Sequence, residues 1–208
     1  MLMNNGQNTR SYSPVPTEMS GQRTSPQEEP KEKLRELVSK QIAHEIISAL
    51  TLTDLASSYC KMGLEGHKHK LYHKASKEFK ENFDWRKYYY DLFEEAPKVE
   101  IEYESKELPK SIDDIYNRIY DLHMKDKENI HAMLKLVSEN HMYEDMKLLL
   151  DAYQKCEQHE AELGAKMRRA QLFGYDVAYI LCEDDKLHHE HKEYLKRKHK
   201  ENEEYYLK

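Results

Sequence analysis

The sequence predicts an all-α fold: an antiparallel four-helix bundle, with a long crossover between its second and third helices and an extra C-terminal helical tail. Three observations carry this. The 208 residues hold only six Gly and six Pro, and Glu, Lys, Leu and Ala are abundant, which favours long helices. Four stretches repeat apolar residues at three-four spacing, one stripe per helix. Their links run short, long, short, which gives an antiparallel pair, a crossover and a second antiparallel pair.

Residues 1–30 are polar and rich in Ser, Pro, Gln and Asn. Such a segment buries too little to offset chain entropy, so a disordered arm is expected. The first helix is expected from Lys31 to about Met62, with Val38, Ile42, Ala49, Leu52, Ala56 and Tyr59 on its apolar face. Gly63 and Gly66 follow, where a C-terminal cap is expected. A second helix, about His67 to Phe93, carries Leu71, Ala75, Trp85, Tyr89 and Leu92 on one face. Pro97 and Pro109 bracket the next segment, in which Val99, Ile101 and Tyr103 alternate, so an extended crossover over about 96–110 is expected.

The third helix should run from Ser111 to about Glu139. Ser111 is a good N-cap, and Asp113 and Asp114 are carboxylates suited to a first turn. Its stripe is Ile112, Tyr116, Ile119, Ile130, Met133 and Val137. A fourth helix, about Tyr143 to Leu172, shows Leu149, Ala152, Leu163 and Met167. These elements place the bundle at residues 31–172. Residues 173–208 form a helical, charged and His-bearing extension, whose histidines His188, His189, His191 and His199 read as a solvated face rather than a chelating one.

The formal net charge is −6. That acidic balance gives no basic footprint for nucleic acid. No run approaches the roughly 20 apolar residues a bilayer span needs, so no membrane role is expected. Three cysteines without a CxxC spacing predict no disulfide framework and a reducing, cytoplasmic setting.

Each stripe is broken near its middle by a group able to bind metal. The first helix offers Glu45, the second Glu78 with Glu81 one turn on, the third His123 and Asp126, and the fourth Cys156 and His159. Residues three apart share a helix face, so each pair can address one central point. An unpaired buried carboxylate costs several kcal/mol. Four interruptions at similar depth therefore point to mutual compensation, and a divalent metal pair supplies it. Glu and Lys are common enough here that a one-residue shift of any helix would instead turn its carboxylates to solvent.

The segment HEIISALTLTDLASSYCKMGLEGHKHKLYHKASKEFKENFD resembles the first two helices of ferritins, bacterioferritins in particular. Glu45, Gly63–Leu64, Tyr72–His73 and Glu78 stand in matching order. From about Tyr120 to Leu163 the chain resembles helices three and four, so the likeness covers about Lys31 to Arg169. The resemblance implies a di-iron site with Glu78 bridging, Glu45 and Glu81 as terminal carboxylates, and His123 and His159 as nitrogen ligands. The implied chemistry is oxidation of Fe(II), a ferroxidase-type reaction, or iron storage. Carboxylate-rich shells also suit manganese, and a thiolate at Cys156 would shift preference toward zinc.

The departures from the family pattern are specific. The second-helix ExxH motif is Glu78-x-x-Glu81, His123 or Met124 stands at the third-helix carboxylate, and the fourth-helix ExxH is Cys156-x-x-His159 followed by Glu160. Phe79 stands where bacterioferritins place a haem-ligating Met, so no haem is expected. Two readings stay open: a remodelled metal site, or a bundle that keeps the fold as a structural or interaction module without one. The resemblance also implies a homo-oligomer, with the N-terminal arm or the C-terminal tail available to a protein partner.

Overall fold

In the computed structural model, residues 28–142 and 146–206 are described, with side chains to residue 201. Five helices follow one another: α1 (Glu28–Lys61), α2 (Glu65–Phe93), α3 (Ile112–Glu139), α4 (Met146–Leu172) and α5 (Val177–Tyr206). α1 packs along α2 and α3, α3 along α4, and α5 against α2. No helix among the described residues is long and apolar enough to cross a membrane.

The disordered arm expected over residues 1–30 falls outside the described residues except at its end. There Glu28, Glu29 and Pro30 already form the first turn of α1. A first turn tolerates the fixed φ of Pro and favours acidic side chains, so the helix starts earlier than its apolar stripe. The fourth helix likewise begins, as described, at Met146 rather than about Tyr143, which lies outside the described residues.

The α1–α2 turn runs through Met62, Gly63 and Leu64, with Gly63 in the left-handed region at φ +75°. Gly66, expected to end the first helix, sits inside α2 instead. A Cβ there would lie 2.1 Å from the backbone oxygen of Asp184 on α5, so this glycine permits close approach of two helices. Leu64, the N-cap of α2, gives no side-chain cap. The cap comes from α5: Asp184 Oδ1 accepts from His67 N and lies 2.7 Å from His67 Nδ1. Burial opposes charge on Asp184, but N–H groups of His67 and Gly66 outweigh it and hold its carboxyl below the ordinary range.

The tail is therefore not simply a solvated charged helix. Its first half is fixed to α2 by that cap, by Ile180 in the core, by His69 stacked on His191 at 4.1 Å and by His73 against Tyr194. At the other link, Glu94 ends α2 in the left-handed region and residues 95–109 run without helix or strand. Tyr103 and Ser105 each donate a 2.6 Å bond to Asp54 Oδ2, which lays the crossover along α1. Ser111 then caps α3 by accepting from Asp114 N.

The apolar interior is divided into two clusters. One gathers Leu52, Leu55, Tyr59, Leu71, Ile115, Ile119 and Leu163. The other gathers Leu34, Ile42, Trp85, Tyr89, Ile130, Met133 and Leu149. A polar layer lies between them.

Candidate metal centre

α1 sends Gln41, His44, Glu45 and Ser48 inward on successive turns, the last three between Ile42 and Ala49 of the two clusters, and all four are buried. α2 contributes Lys74, Glu78, Glu81 and Asn82, α3 His123 and Asp126, and α4 Cys156 and His159. Three-four spacing that would have continued the apolar stripe instead brings these groups to one depth.

One carboxylate oxygen each from Glu45, Glu78 and Glu81 lies within 4.8 Å of the others, and this is the one such group of three among the described residues. Glu45 is buried and Glu78 and Glu81 are half-buried. Glu45 Oε1 accepts from Gln41 Nε2 at 2.6 Å and from Trp85 Nε1 at 3.1 Å. A further hydrogen bond joins Glu45 to Glu78. Two carboxylates can share a hydrogen bond only if one keeps a proton.

The electrostatics follow from this crowding. Burial pushes the Glu45 carboxyl well up, reinforced by the charges of Asp126 and Glu78. Glu78 is pushed up to about 7, chiefly by burial and then by Glu81, against the opposing bond from Glu45. Glu81 rises too, through burial, although Lys155 works against the rise.

His123 and His159 do not join the carboxylate group. They pair with each other, ring centroids 5.4 Å apart, and His123 is buried. His123 Nε2 accepts from the Lys74 ammonium. Burial lowers the His123 imidazole to about 3, with Lys74 adding to the effect, so the ring is neutral at ordinary pH. His159 is lowered in the same way and for the same two reasons.

Asp126 and Cys156, which the sequence offered without a role, engage one another. The Cys156 thiol donates to Asp126 Oδ2 at 3.0 Å, and Asp126 Oδ1 accepts from Gln41. Burial and the Asp126 charge push the thiol far up, so Cys156 stands here as a protonated donor to Asp126. Glu160 turns away and accepts from Lys127 at 2.7 Å.

The sequence reading missed Gln41 and Lys74. Each stands four residues before an acid of the site, Glu45 and Glu78, so helical spacing placed both on the inward face. Gln41 ties Glu45 to Asp126 through its amide nitrogen, and its Oε1 is buried without a hydrogen-bond partner. An orphaned acceptor beside three crowded carboxylates is a donor set short of positive charge. It fits a hard divalent cation held by oxygen.

Fold and layer together define a ferritin-like bundle. No family model matches the sequence, and no curated protein matches it. Solved structures do. The chain is similar to an open-pore ferritin from the archaeon Archaeoglobus fulgidus, with TM-score 0.70 and 19% identity over 75% of this chain and 96% of that one. It is similar also to the apo-ferritin of Pseudo-nitzschia multiseries, with TM-score 0.64 and 13% identity over 74% and 97%. At these identities the likeness is one of fold.

Proposed function

We propose that this protein binds divalent iron in its polar layer and oxidises it with dioxygen. One observation carries the reading: three carboxylates from two helices converge within 4.8 Å inside a divided apolar core. Without a cation that arrangement costs free energy, because burial and mutual repulsion both disfavour the charged forms. Oxygen-rich shells suit Fe(II) and Mn(II). Structures similar in fold include ferritins, among them an iron-soaked variant of PmFTN with TM-score 0.65 and 13% identity. Glu45, Glu78 and Glu81 supply the oxygens, and the His123–His159 pair lines the layer outside that group.

Each residue has work that needs no preformed ion. Trp85 and Gln41 orient Glu45, the shared proton of Glu45 and Glu78 leaves when a cation arrives, and the flanking apolar clusters exclude water. Each Fe(II) becomes Fe(III) by giving one electron to dioxygen, which leaves as superoxide, and the deprotonated carboxylates would hold the higher charge. Residues 31–172 act as the binding bundle, in a homo-oligomer in the cytoplasm. The N-terminal arm and the 173–208 extension are where a protein partner would engage.

Anaerobic protein given Fe(II) and then air should oxidise it faster than the Glu45→Ala/Glu78→Ala double variant, which should fall toward the uncatalysed rate. Equal rates, together with a double variant as stable as wild type, would instead favour a bundle that keeps the fold without the metal chemistry.

A further inference from the structure

The polar layer has two halves, and they differ in how fully the protein itself satisfies them. In the carboxylate half, the N–H donors that arrive are Gln41 Nε2 and Trp85 Nε1, and both go to the same oxygen, Glu45 Oε1. Glu78 and Glu81 receive no N–H bond among the described residues. This half lacks positive charge at contact distance.

The other half surrounds a cavity of about 10 Å³ bounded by the polar residues His44, Ser48, Glu78, His123 and Asp126 together with three apolar side chains. That volume is about one water-sized sphere, and its walls offer donor atoms of the kind an ion would use. Every one of those polar residues except Glu78 is already engaged, Ser48 with its Oγ 3.3 Å from His44 Nε2. The Lys74 ammonium occupies the lone pair of His123 Nε2. Asp126 gives one oxygen to Gln41 and the other to the Cys156 thiol. His44 Nε2 faces the carbonyl oxygen of Leu122 at 3.1 Å, so that nitrogen carries the proton and has no lone pair to offer.

Lys74 is no surface lysine caught in a chance rotamer. It stands on α2 one turn before Glu78, between the buried residues Leu71 and Ala75, and its charge acts on Glu78, Glu81 and Glu162. Burial lowers the pKa of its ammonium, and the charges of Glu78, Glu162 and Glu81 work against that fall, so the geometry sets a cation among the acids of the layer. Glu45, Glu78, Glu81 and Asp126 bring four negative charges when all are ionised. Among these groups one divalent ion and Lys74 leave a single negative charge, whereas a second ion would make the set net positive, and the charge of Lys155 on Glu81 adds to that excess. In a water-poor interior that excess is strongly unfavourable.

We propose that the layer takes one divalent cation, in the Glu45/Glu78/Glu81 half, and that Lys74 sets this number by holding the half that would take a second. The inference rests on the metal reading above and concerns the count of ions. Removing the ammonium frees His123 Nε2 and one unit of charge together, so the second half becomes a usable seat. Arginine at the same position keeps the charge and keeps the seat closed.

The test is a count of ions per chain. Metal-free protein is titrated with Co(II) without oxygen, and bound cobalt is measured by elemental mass spectrometry after gel filtration. Cobalt held elsewhere, including on the tail histidines, is given by the Glu45→Ala/Glu78→Ala variant and subtracted. Wild type and Lys74→Arg should each hold one ion above that background, and Lys74→Met should hold two. Circular dichroism checks folding, and Lys74→Gln supplies the same comparison should Lys74→Met not fold. Two ions in wild type, or one in both wild type and the uncharged variants, would overturn the role of Lys74 and leave the metal reading standing. No ion above background in any of them would overturn both.

Discussion

Glu45 of α1 and Glu78 of α2 meet across the helix seam in a hydrogen bond that requires a proton. The bundle thus stores acid where a cation would otherwise sit, and its stability must depend on pH in a defined sense.

The Glu78 carboxyl stands at about 7 in the fold against an ordinary 4.5. Between those values the folded chain holds more proton than the unfolded one, so this contribution is full below pH 4.5 and is lost as pH rises through about 7. His123, at about 3 against 6.5, works in the opposite sense as pH falls, so a wild-type curve alone mixes the two. Glu78→Gln isolates the first. Urea denaturation of metal-free protein should show the variant gaining on wild type between pH 5 and pH 8, by at most about 3 kcal/mol. A difference that does not change with pH would count against the shared proton.

The docking of α5 hangs on Asp184. Asp184→Ala leaves the buried N–H groups of His67 without a partner, which costs about 2–4 kcal/mol. Gly66→Ala drives a methyl into the backbone of α5. Both variants should release α5 to trypsin at Lys186 and Lys192 while α1 to α4 keep their helical signal. Unchanged protection of those bonds would show that other contacts hold the helix.

The crossover depends on Asp54. Asp54→Ala removes the acceptor of both Tyr103 and Ser105, at about 1 kcal/mol for each bond. Trypsin should then cut faster at Lys98 and Lys106 with little loss of global stability. A cleavage rate equal to that of wild type would refute the anchoring role.

Cys60 and Cys182 are exposed and Cys156 is buried, with its thiol donating to Asp126. A thiol-specific reagent should label two cysteines quickly and the third only on unfolding, because the thiolate is the reactive form. Rapid labelling of Cys156 in folded protein would contradict the layer described above.

The helices were legible in the sequence because periodicity is a local signal: the stripes, the Ser111 cap and the proline-bracketed crossover each occupy a few adjacent residues. Glu45, Glu78 and Glu81 were legible for the same reason, as interruptions of a regular pattern. Lys74 was not, since a lysine on a charge-rich helix reads as solvated until its neighbours in space are known. The cap of α2 was hidden more deeply. Asp184 is 117 residues from His67, and nothing local to either marks the pairing. Gly66 looked like a helix stop, and only the proximity of α5 explains a glycine within the helix.

Diffraction at the iron absorption edge from crystals soaked anaerobically in Fe(II) would locate the cation itself. An anomalous peak is expected between Glu45, Glu78 and Glu81, with carboxylate oxygens at about 2.0–2.2 Å, the spacing of zinc, another first-row divalent ion, to such ligands. A layer without a peak, or iron found only at the histidines of α5, would contradict it.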